Sequence, residues 1–193
     1  SGSKFMAIYE RDINLIATAS QGIVVIDDPD SIVKCTNKVY LAELLAFNRV
    51  ATPRTLVLRK GEAADLEAAV GYPAVLKIPD GSFSRGVHKD SKPAEAAEIT
   101  TRLFRDSDLI LAQEYLYTDY DWRIGILNRE PLYASQYFMS RKHWQIVRKG
   151  KGDRDIYGKV ETLPVAKAPK FVVKTALKAA NLIRTCERHW EDR

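Results

Sequence analysis

The chain has 193 residues, of which 46% are hydrophobic and 28% charged, the composition of an ordinary soluble globular protein with one sizeable core or two small lobes. No apolar run approaches the roughly 20 residues of a membrane span, so we expect a cytoplasmic protein without a membrane partner. The net charge of +5 permits binding to an anion but leaves nucleic acid, nucleotide phosphate and acidic peptide open, and two distant cysteines without metal-ligand spacing argue against a structural zinc site.

The first predicted elements are a weak amphipathic helix over residues 5–20 and a short buried strand over residues 23–26. Residues 27–31, which read Asp-Asp-Pro-Asp-Ser, predict a turn with helix-capping chemistry. A helix followed by a strand, with no strand before them, is typical of the end of an α/β unit. Residues 1–30 are therefore predicted to be the remnant of an α/β domain.

A helix is predicted over residues 36–47, with Asn37 and Lys38 in its first turn. A lysine is electrostatically unfavourable there, because the N-terminal end of a helix already carries partial positive charge. It becomes favourable if an anion is shared between the ammonium group and the exposed backbone N–H groups. The alternative is a solvated lysine that the helix tolerates.

The next elements predict a small α+β lobe in the order strand, helix, strand, strand, helix. The first strand covers residues 55–59, the first helix residues 62–70, and the second helix residues 93–104. Pro93 suits the first turn of the second helix, where its missing N–H group costs nothing. The two strands between the helices flank a loop that could bind a ligand.

That loop follows a short apolar run that begins at Ala74 and ends in Lys77, and the chain resumes as a strand at Gly86 and Val87. The pattern predicts a hairpin whose tip is too small and too polar to be packed. Small residues let backbone N–H groups approach a ligand, and phosphate is the ligand that most favours such donors beside an ammonium. The alternative is an ordinary surface hairpin with one half-buried lysine, and this stretch alone leaves both open.

Four strands, a polar loop and a helix make up the second half of the chain. Two of the strands form a hairpin joined by the turn residues Asn128 and Arg129. The predicted bounds are 108–116, 121–127, 130–139 and 143–147 for the strands, 150–158 for a mobile loop and 168–183 for the helix.

Basic residues interleaved with aromatic residues occupy positions 141–159, a pattern that a surface for single-stranded nucleic acid would use. The alternative is a solvated loop with a basic face. His88 and His143 lack an acidic or nucleophilic neighbour at useful spacing, so structural roles are favoured for both. Trp122 and Trp144 are favoured as core or lobe-interface residues over base-stacking platforms.

With these elements in order, the sequence resembles the ATP-grasp superfamily, and within it the RimK-like ligases of the glutathione-synthetase type, over residues of about 25–183. Residues 27–38 resemble the entry helix of the family, whose lysine (here Lys38) contacts the nucleotide phosphates. Lys77 resembles the second phosphate-binding lysine, and the loop after it resembles the small mobile segment that closes over the triphosphate. The loop positions that match are Gly81, Ser82, Ser84, Gly86 and Val87.

The resemblance continues into the second half of the chain. A four-residue segment resembles the interlobe hinge of the family, where backbone groups and the glutamate bind adenine. Asp121 lies where the family places a carboxylate on the ribose hydroxyls, and Arg141 is a candidate for the basic residue near the γ-phosphate and the acylphosphate. The hinge residues are Gln113, Glu114, Tyr115 and Leu116.

The resemblance implies an α+β (α/β) fold of ATP-grasp type, in which two lobes hold ATP between them. Residues 31–116 would form the small lobe and residues 117–193 an incomplete second lobe. The implied activity is an ATP-dependent carboxylate–amine ligase that works through an acylphosphate and adds glutamate or a similar amino acid to a peptide or small acid. Mg²⁺ is implied as well, but nothing after residues 168–183 matches the family's metal ligands. No metal ligand is therefore assigned, and we expect little turnover from this chain by itself.

An alternative from another class is a non-catalytic module that keeps the ATP-grasp core and binds nucleotide, RNA or an acidic peptide, with nucleic acid the least favoured partner. A protein-kinase-like fold is argued against, because the sequence has neither a His-Arg-Asp catalytic loop nor an Asp-Phe-Gly segment. An unfinished sheet would expose an edge through which two copies could pair, so a homo-oligomer stays open.

Overall fold

The structure, a computed structural model, describes residues 21, 29–61, 65–79, 86–150, 152 and 154–183. Its helices are α1 (Pro29–Thr36), α2 (Lys38–Phe47), α3 (Leu66–Ala69), α4 (Pro93–Leu103) and α5 (Lys170–Ile183), with a short 3₁₀ helix at Val165–Lys167. Its strands are β1 (Thr55–Arg59), β2 (Ala74–Lys77), β3 (Val87–Asp90), β4 (Leu109–Glu114), β5 (Tyr120–Leu127), β6 (Glu130–Phe138), β7 (Val147–Lys149), β8 (Asp155–Tyr157) and β9 (Val160–Leu163). Within these described ranges, no helix combines the length and the apolar character that a membrane span requires.

The first sheet is antiparallel and has the strand order β1-β4-β2-β3. Successive side chains of a strand point to opposite faces, and Ala74 and Leu76 of β2 are fully buried on the same one. Leu76 pairs with Ala112 of β4, and α4 contributes Ala96 and Leu103 to the same core. Burial of a leucine side chain stabilises the fold by about 1.5–3 kcal/mol, so this face of the sheet holds α4 in place.

The opposite face of this sheet carries polar side chains. Lys77 follows the buried Leu76 and therefore points away from α4. Val75 also lies on this face, and its partners across the two ladders are Lys89 of β3 and Gln113 of β4. Because residues directly opposite each other in an antiparallel pair share a face, Lys77, Lys89 and Gln113 all lie on the side away from the core.

The second sheet has the strand order β5-β6-β9, and α5 contacts both β5 and β6. The hairpin prediction for β5 and β6 is confirmed, and the turn residues Asn128 and Arg129 have φ angles of 47° and 63°. Two positive φ values in a two-residue turn match the twist of the flanking strands. A Cβ atom on Gly125 would lie 2.2 Å from the Tyr133 ring, so glycine leaves room for that ring beside the shift in register.

The third sheet is the small β7–β8 hairpin, and it corrects two predictions. The strand predicted over residues 143–147 begins only at Val147, because the preceding segment forms a tight turn in which the His143 N–H donates to Ser140 O (2.8 Å). The loop predicted over residues 150–158 contains β8, whose Ile156 pairs with Arg148. A three-residue strand is too short for its alternation to stand out in a sequence.

Three further predictions, one of a turn and two of helices, are corrected. Residues 29–31 begin α1 rather than forming a turn, and the helix predicted over 36–47 begins only at Lys38, because Asn37 caps it. Of the helix predicted over 62–70, residues 62–64 lie outside the described residues and the rest forms the single turn α3, which the Asp65 side chain caps by accepting from the N–H group of Ala68 (3.0 Å).

Four further elements confirm their predictions to within two residues at each end. These elements are β1, α4, β4 and α5. The helix predicted over residues 5–20 and the strand over 23–26 lie outside the described residues, and the boundaries of the two lobes stay a prediction.

Candidate nucleotide site

Lys38 lies at the start of α2 because the preceding residue caps that helix. The Asn37 side-chain oxygen accepts hydrogen bonds from the N–H groups of Val39 and Tyr40, both at 3.0 Å, and a cap of this kind contributes about 1 kcal/mol. The Lys38 Nζ donates to the carbonyl oxygen of Pro79 at 2.8 Å. Pro79 is buried and directly precedes residues 80–85, so Lys38 is anchored at one end of the predicted phosphate loop.

Lys77 lies at the end of β2, two residues before Pro79, and so borders the same end of this loop. Its Nζ donates to Gln113 Oε1, while Gln113 Nε2 donates to Thr55 Oγ1 at 2.7 Å, so three strands share one polar network. Burial, followed by the positive charge of Lys38, lowers the pKa of Lys77. The two predicted phosphate-binding lysines are therefore close enough to repel each other, an arrangement that an anion between them would relieve.

No carboxylate of the described residues pairs with the Lys77 ammonium group. A cation left without an ion pair on a half-buried face is suited to an anionic ligand, and phosphate oxygens would accept its donors directly. Within the described ranges no group of three or more His, Cys, Asp or Glu side chains could hold a metal ion. The donors that the structure brings together are the ammonium groups of Lys38 and Lys77, which suit an anion.

The phosphate loop is bounded on its far side by Gly86 and Val87. Gly86 has a φ of +71°, and a Cβ atom there would lie 3.2 Å from Ile78 Cγ1, so conformation and space both favour glycine. Val87 pairs with Lys77 across the β2–β3 ladder, which sets the width of the loop's base. The other predicted loop residues, Gly81, Ser82 and Ser84, lie outside the described residues.

The predicted hinge residues do not all face the same way. Gln113 lies on the Lys77 face, whereas Glu114 lies on the opposite one and accepts hydrogen bonds from Arg54 N (2.8 Å) and Arg54 Nε (2.7 Å). The backbone N–H of Arg54, followed by its side chain, lowers the pKa of Glu114. Leu116 is exposed. The structure thus places Gln113, but not the Glu114 carboxylate, beside Lys77.

The hinge backbone is partly engaged within the protein. The Glu114 N–H donates to Arg54 O (3.0 Å), and the Tyr115 N–H donates to Pro73 O (3.2 Å). The Tyr115 side chain returns to the Lys77 face, because its ring contacts the ammonium group of Lys89. A role of this segment in binding a base stays a prediction, with Gln113 and Tyr115 as the side chains on the correct face.

Asp121 and Arg141 lie on the second sheet and on the segment that follows it. Asp121 Oδ1 accepts from Thr118 Oγ1 at 3.3 Å, close to the start of β5. Arg141 is exposed on the turn after β6, beside Lys142, which has a φ of 57°. No hydrogen bond or ion pair within the described residues joins Asp121 or Arg141 to Lys77, so their assignments also stay predictions.

The structure adds two residues that the sequence reasoning did not connect with the site. Lys89 lies on the Lys77 face, with its Nζ 4.4 Å from the centroid of the Tyr115 ring and 5.6 Å from that of Trp144. Trp144 comes from the segment after β6 and meets the Tyr115 ring edge-on at 6.0 Å. Strand alternation from Val87 would have placed Lys89 on this face, but nothing local indicates its contact with Trp144.

The chain is similar in sequence to ligases from two species. The chain is 35% identical over 129 residues to the alpha-aminoadipate–LysW ligase LysX of Sulfolobus acidocaldarius, covering 63% of this chain and 46% of that protein. It is 30% identical over 128 residues to the enzyme of the same name from Sulfurisphaera tokodaii, covering 62% of this chain and 44% of that protein. The chain thus spans about half the length of these relatives. No family model matches it.

Solved structures agree with these relatives at the level of fold. A D-alanine–D-alanine ligase from Bacillus anthracis superposes with a TM-score of 0.66 at 16% identity, over 88% of this chain and 56% of that one. An L-amino acid ligase from Bacillus licheniformis superposes with a TM-score of 0.60 at 15% identity, over 90% of this chain and 40% of that one. Identities this low establish the fold and leave the chemistry of this chain to its own residues.

Proposed function

We propose that the chain binds ATP as part of a carboxylate–amine ligase, because it has the fold of the ATP-grasp ligases and is similar in sequence to LysX ligases. The observation that carries the proposal is the convergence of Lys38 and Lys77 at the start of the predicted phosphate loop. Two like charges on a half-buried face are stabilised by an anion that bridges them. A polyphosphate has the charge and length to do so.

The proposed reaction has two steps. The γ-phosphoryl group of ATP is transferred to a carboxylate oxygen, which gives an acylphosphate and ADP, and an amine then attacks the acyl carbon and releases phosphate as the amide bond forms. Phosphoryl transfer depends mainly on positioning and charge neutralisation. Lys38 and Lys77 would hold and neutralise the phosphate oxygens, and Arg141 would stabilise the transferring group. Mg²⁺, when bound, would neutralise further phosphate charge.

The identity of the substrates is proposed from the relatives and from charge. The names of the relatives describe ligation of alpha-aminoadipate to LysW, and those of the structural neighbours describe ligation of amino acids. We infer a ligase of the RimK-like group that joins glutamate or a similar acidic amino acid to a peptide or small acid. The basic residues of 141–159 support an acidic substrate, although Lys149 and Lys159 already pair with Asp155 and Glu161.

Calorimetric titration of the 193-residue chain with ATP, ADP and AMP, each with and without Mg²⁺, tests the proposal. We expect ATP to bind most tightly, because its triphosphate brings the most negative charge to the two lysines. A lack of nucleotide binding at millimolar concentration would contradict it. A parallel ligation assay with ATP, Mg²⁺ and acidic amino acids addresses the activity. Binding of ATP by a chain that gains no ligation with any substrate would favour the nucleotide-binding module.

A further inference from the structure

A cation lies beside two aromatic rings on the face of the first sheet that carries Lys77. We call Lys89, Tyr115 and Trp144 the Lys89 cluster. The ammonium group lies 4.4 Å from the Tyr115 ring centroid and 5.6 Å from that of Trp144, and the two ring planes are 84° apart. The members come from β3, from the chain after β4 and from the turn after β6. The cluster therefore links the first sheet to the segment that follows the second.

The Lys89 cluster lies on the same face of the first sheet as Lys77 but at a different place on it. Lys77 pairs with Val87 and Lys89 with Val75, so the two lysines are diagonal neighbours whose Cβ atoms are about 7–8 Å apart. Lys77 is influenced by the charge of Lys38, whereas the ammonium of Lys89 turns toward Tyr115. The cationic groups of this face thus separate into a pair at the phosphate loop and a single one beside the hinge.

Lys89 keeps hydrogen-bonding capacity for a ligand. An ammonium group has three N–H donors, and ring faces attract its charge without accepting a full hydrogen bond. No carboxylate of the described residues pairs with it. A ligand atom that accepts a hydrogen bond at Lys89 would therefore break no ion pair. The half-buried setting strengthens such a bond, because water competes less for the donor.

We propose that Lys89 determines recognition of the base, by donating a hydrogen bond to a ring nitrogen of the adenine, and that Trp144 is a positioning residue that holds Lys89 and Tyr115 in place. This inference rests on the proposed function. Tyr115 lies two positions after Gln113, which bonds Lys77, a span of about 7 Å along an extended chain. That span places the Lys89 cluster beyond the phosphate end of the cleft, where a base would lie.

The proposal separates binding of the base from binding of the phosphates, so two ligands test it. ATP and inorganic tripolyphosphate are titrated calorimetrically into the unchanged chain and into K89M, which keeps the apolar stem and removes the charge. We expect K89M to weaken ATP binding roughly tenfold and tripolyphosphate binding less than twofold. K92M, which changes an exposed lysine next to the same strand, is the matched control and should leave both affinities unchanged.

Trp144 supplies a measurement that does not depend on substituting Lys89. ATP is expected to change the tryptophan emission of the chain, whereas tripolyphosphate is not. W144F should lose this change and W122F should keep it. In the titrations, W144L should weaken ATP binding more than tripolyphosphate binding, and W144F should restore part of the loss because phenylalanine keeps an aromatic face.

Equal weakening of both ligands by K89M, no effect on either, or an emission change that survives in W144F would each overturn the inference. Failure of the proposed function has a different signature. In that case the unchanged chain and every variant would bind neither ATP nor tripolyphosphate.

Discussion

Replacement of Lys77 with methionine is expected to remove most of the affinity for ATP while leaving the folded chain about as stable as before. Methionine fills nearly the same volume as the apolar stem of lysine, so packing on the Gln113 face is kept. The substitution removes one hydrogen bond, from Lys77 Nζ to Gln113 Oε1, which is worth about 1 kcal/mol. Gln113 keeps its hydrogen bond to Thr55 at 2.7 Å.

The same substitution also removes an unfavourable charge. Burial and the charge of Lys38 both lower the pKa of Lys77, which means that the folded chain opposes its protonated form. This gain offsets the lost hydrogen bond, so the free energy of unfolding should change by less than about 1 kcal/mol. Binding has no such compensation. A charge-assisted hydrogen bond to phosphate is worth about 1.5–3 kcal/mol, so K77M should weaken ATP binding about 10- to 150-fold.

Calorimetric titration with ATP and urea denaturation without ligand measure the two effects. K60M, which changes an exposed lysine, is the control and should affect neither quantity. Tripolyphosphate binding should fall together with ATP binding in K77M, in contrast to K89M. The reasoning is refuted if K77M binds ATP as well as the unchanged chain, or if it unfolds so readily that the lost affinity reflects lost structure.

The dependence of stability on pH gives a further test of the Lys77 environment. In the folded chain its pKa lies below the ordinary value of 10.5, so between these two values the unfolded chain binds more protons. The free energy of unfolding therefore rises as the pH increases through that window. K77M should lack this rise when urea denaturation at pH 7 and at pH 10 is compared with that of the unchanged chain.

Two predictions concern the scaffold. Asp90 is fully buried and accepts a hydrogen bond from Ala74 N at 3.1 Å, and burial raises its pKa above the ordinary value of 3.8. The folded chain therefore binds more protons than the unfolded chain between these two values, and the free energy of unfolding falls as the pH rises through that window. D90N should abolish that fall when urea denaturation at pH 4 and pH 7 is compared. A Cβ atom on Gly158 would lie 1.8 Å from Phe138 O, so G158A should destabilise the chain by about 3 kcal/mol. G61A, at a φ of +84° with no atom within 4 Å, should cost only about 1 kcal/mol, and thermal melts compare the two.

Local chemistry explains why many elements of both larger sheets could be predicted from the sequence. The apolar run that ends in Lys77, the proline that begins α4 and the Asn128-Arg129 turn are each complete within a few residues. The break before α2 has a local signal in Asn37, a preferred N-cap, but the spacing of apolar residues alone predicts one helix over 36–47. The contact of Lys89 with Trp144 joins residues far apart in the chain, and no local pattern specifies such a contact.

The predicted hinge, residues 113–116, shows that a sequence motif does not specify which of its side chains face a site. The resemblance assigns all four residues to the base as one unit. A strand, however, divides its side chains between two faces, so Gln113 and Tyr115 face the candidate site while Glu114 is held by Arg54 on the other side. The same alternation places Lys77 and Lys89 on one face. If ATP binds there, strand geometry requires the side-chain contacts of the hinge to come from Gln113 and Tyr115, and Glu114 acts by fixing the strand that carries them.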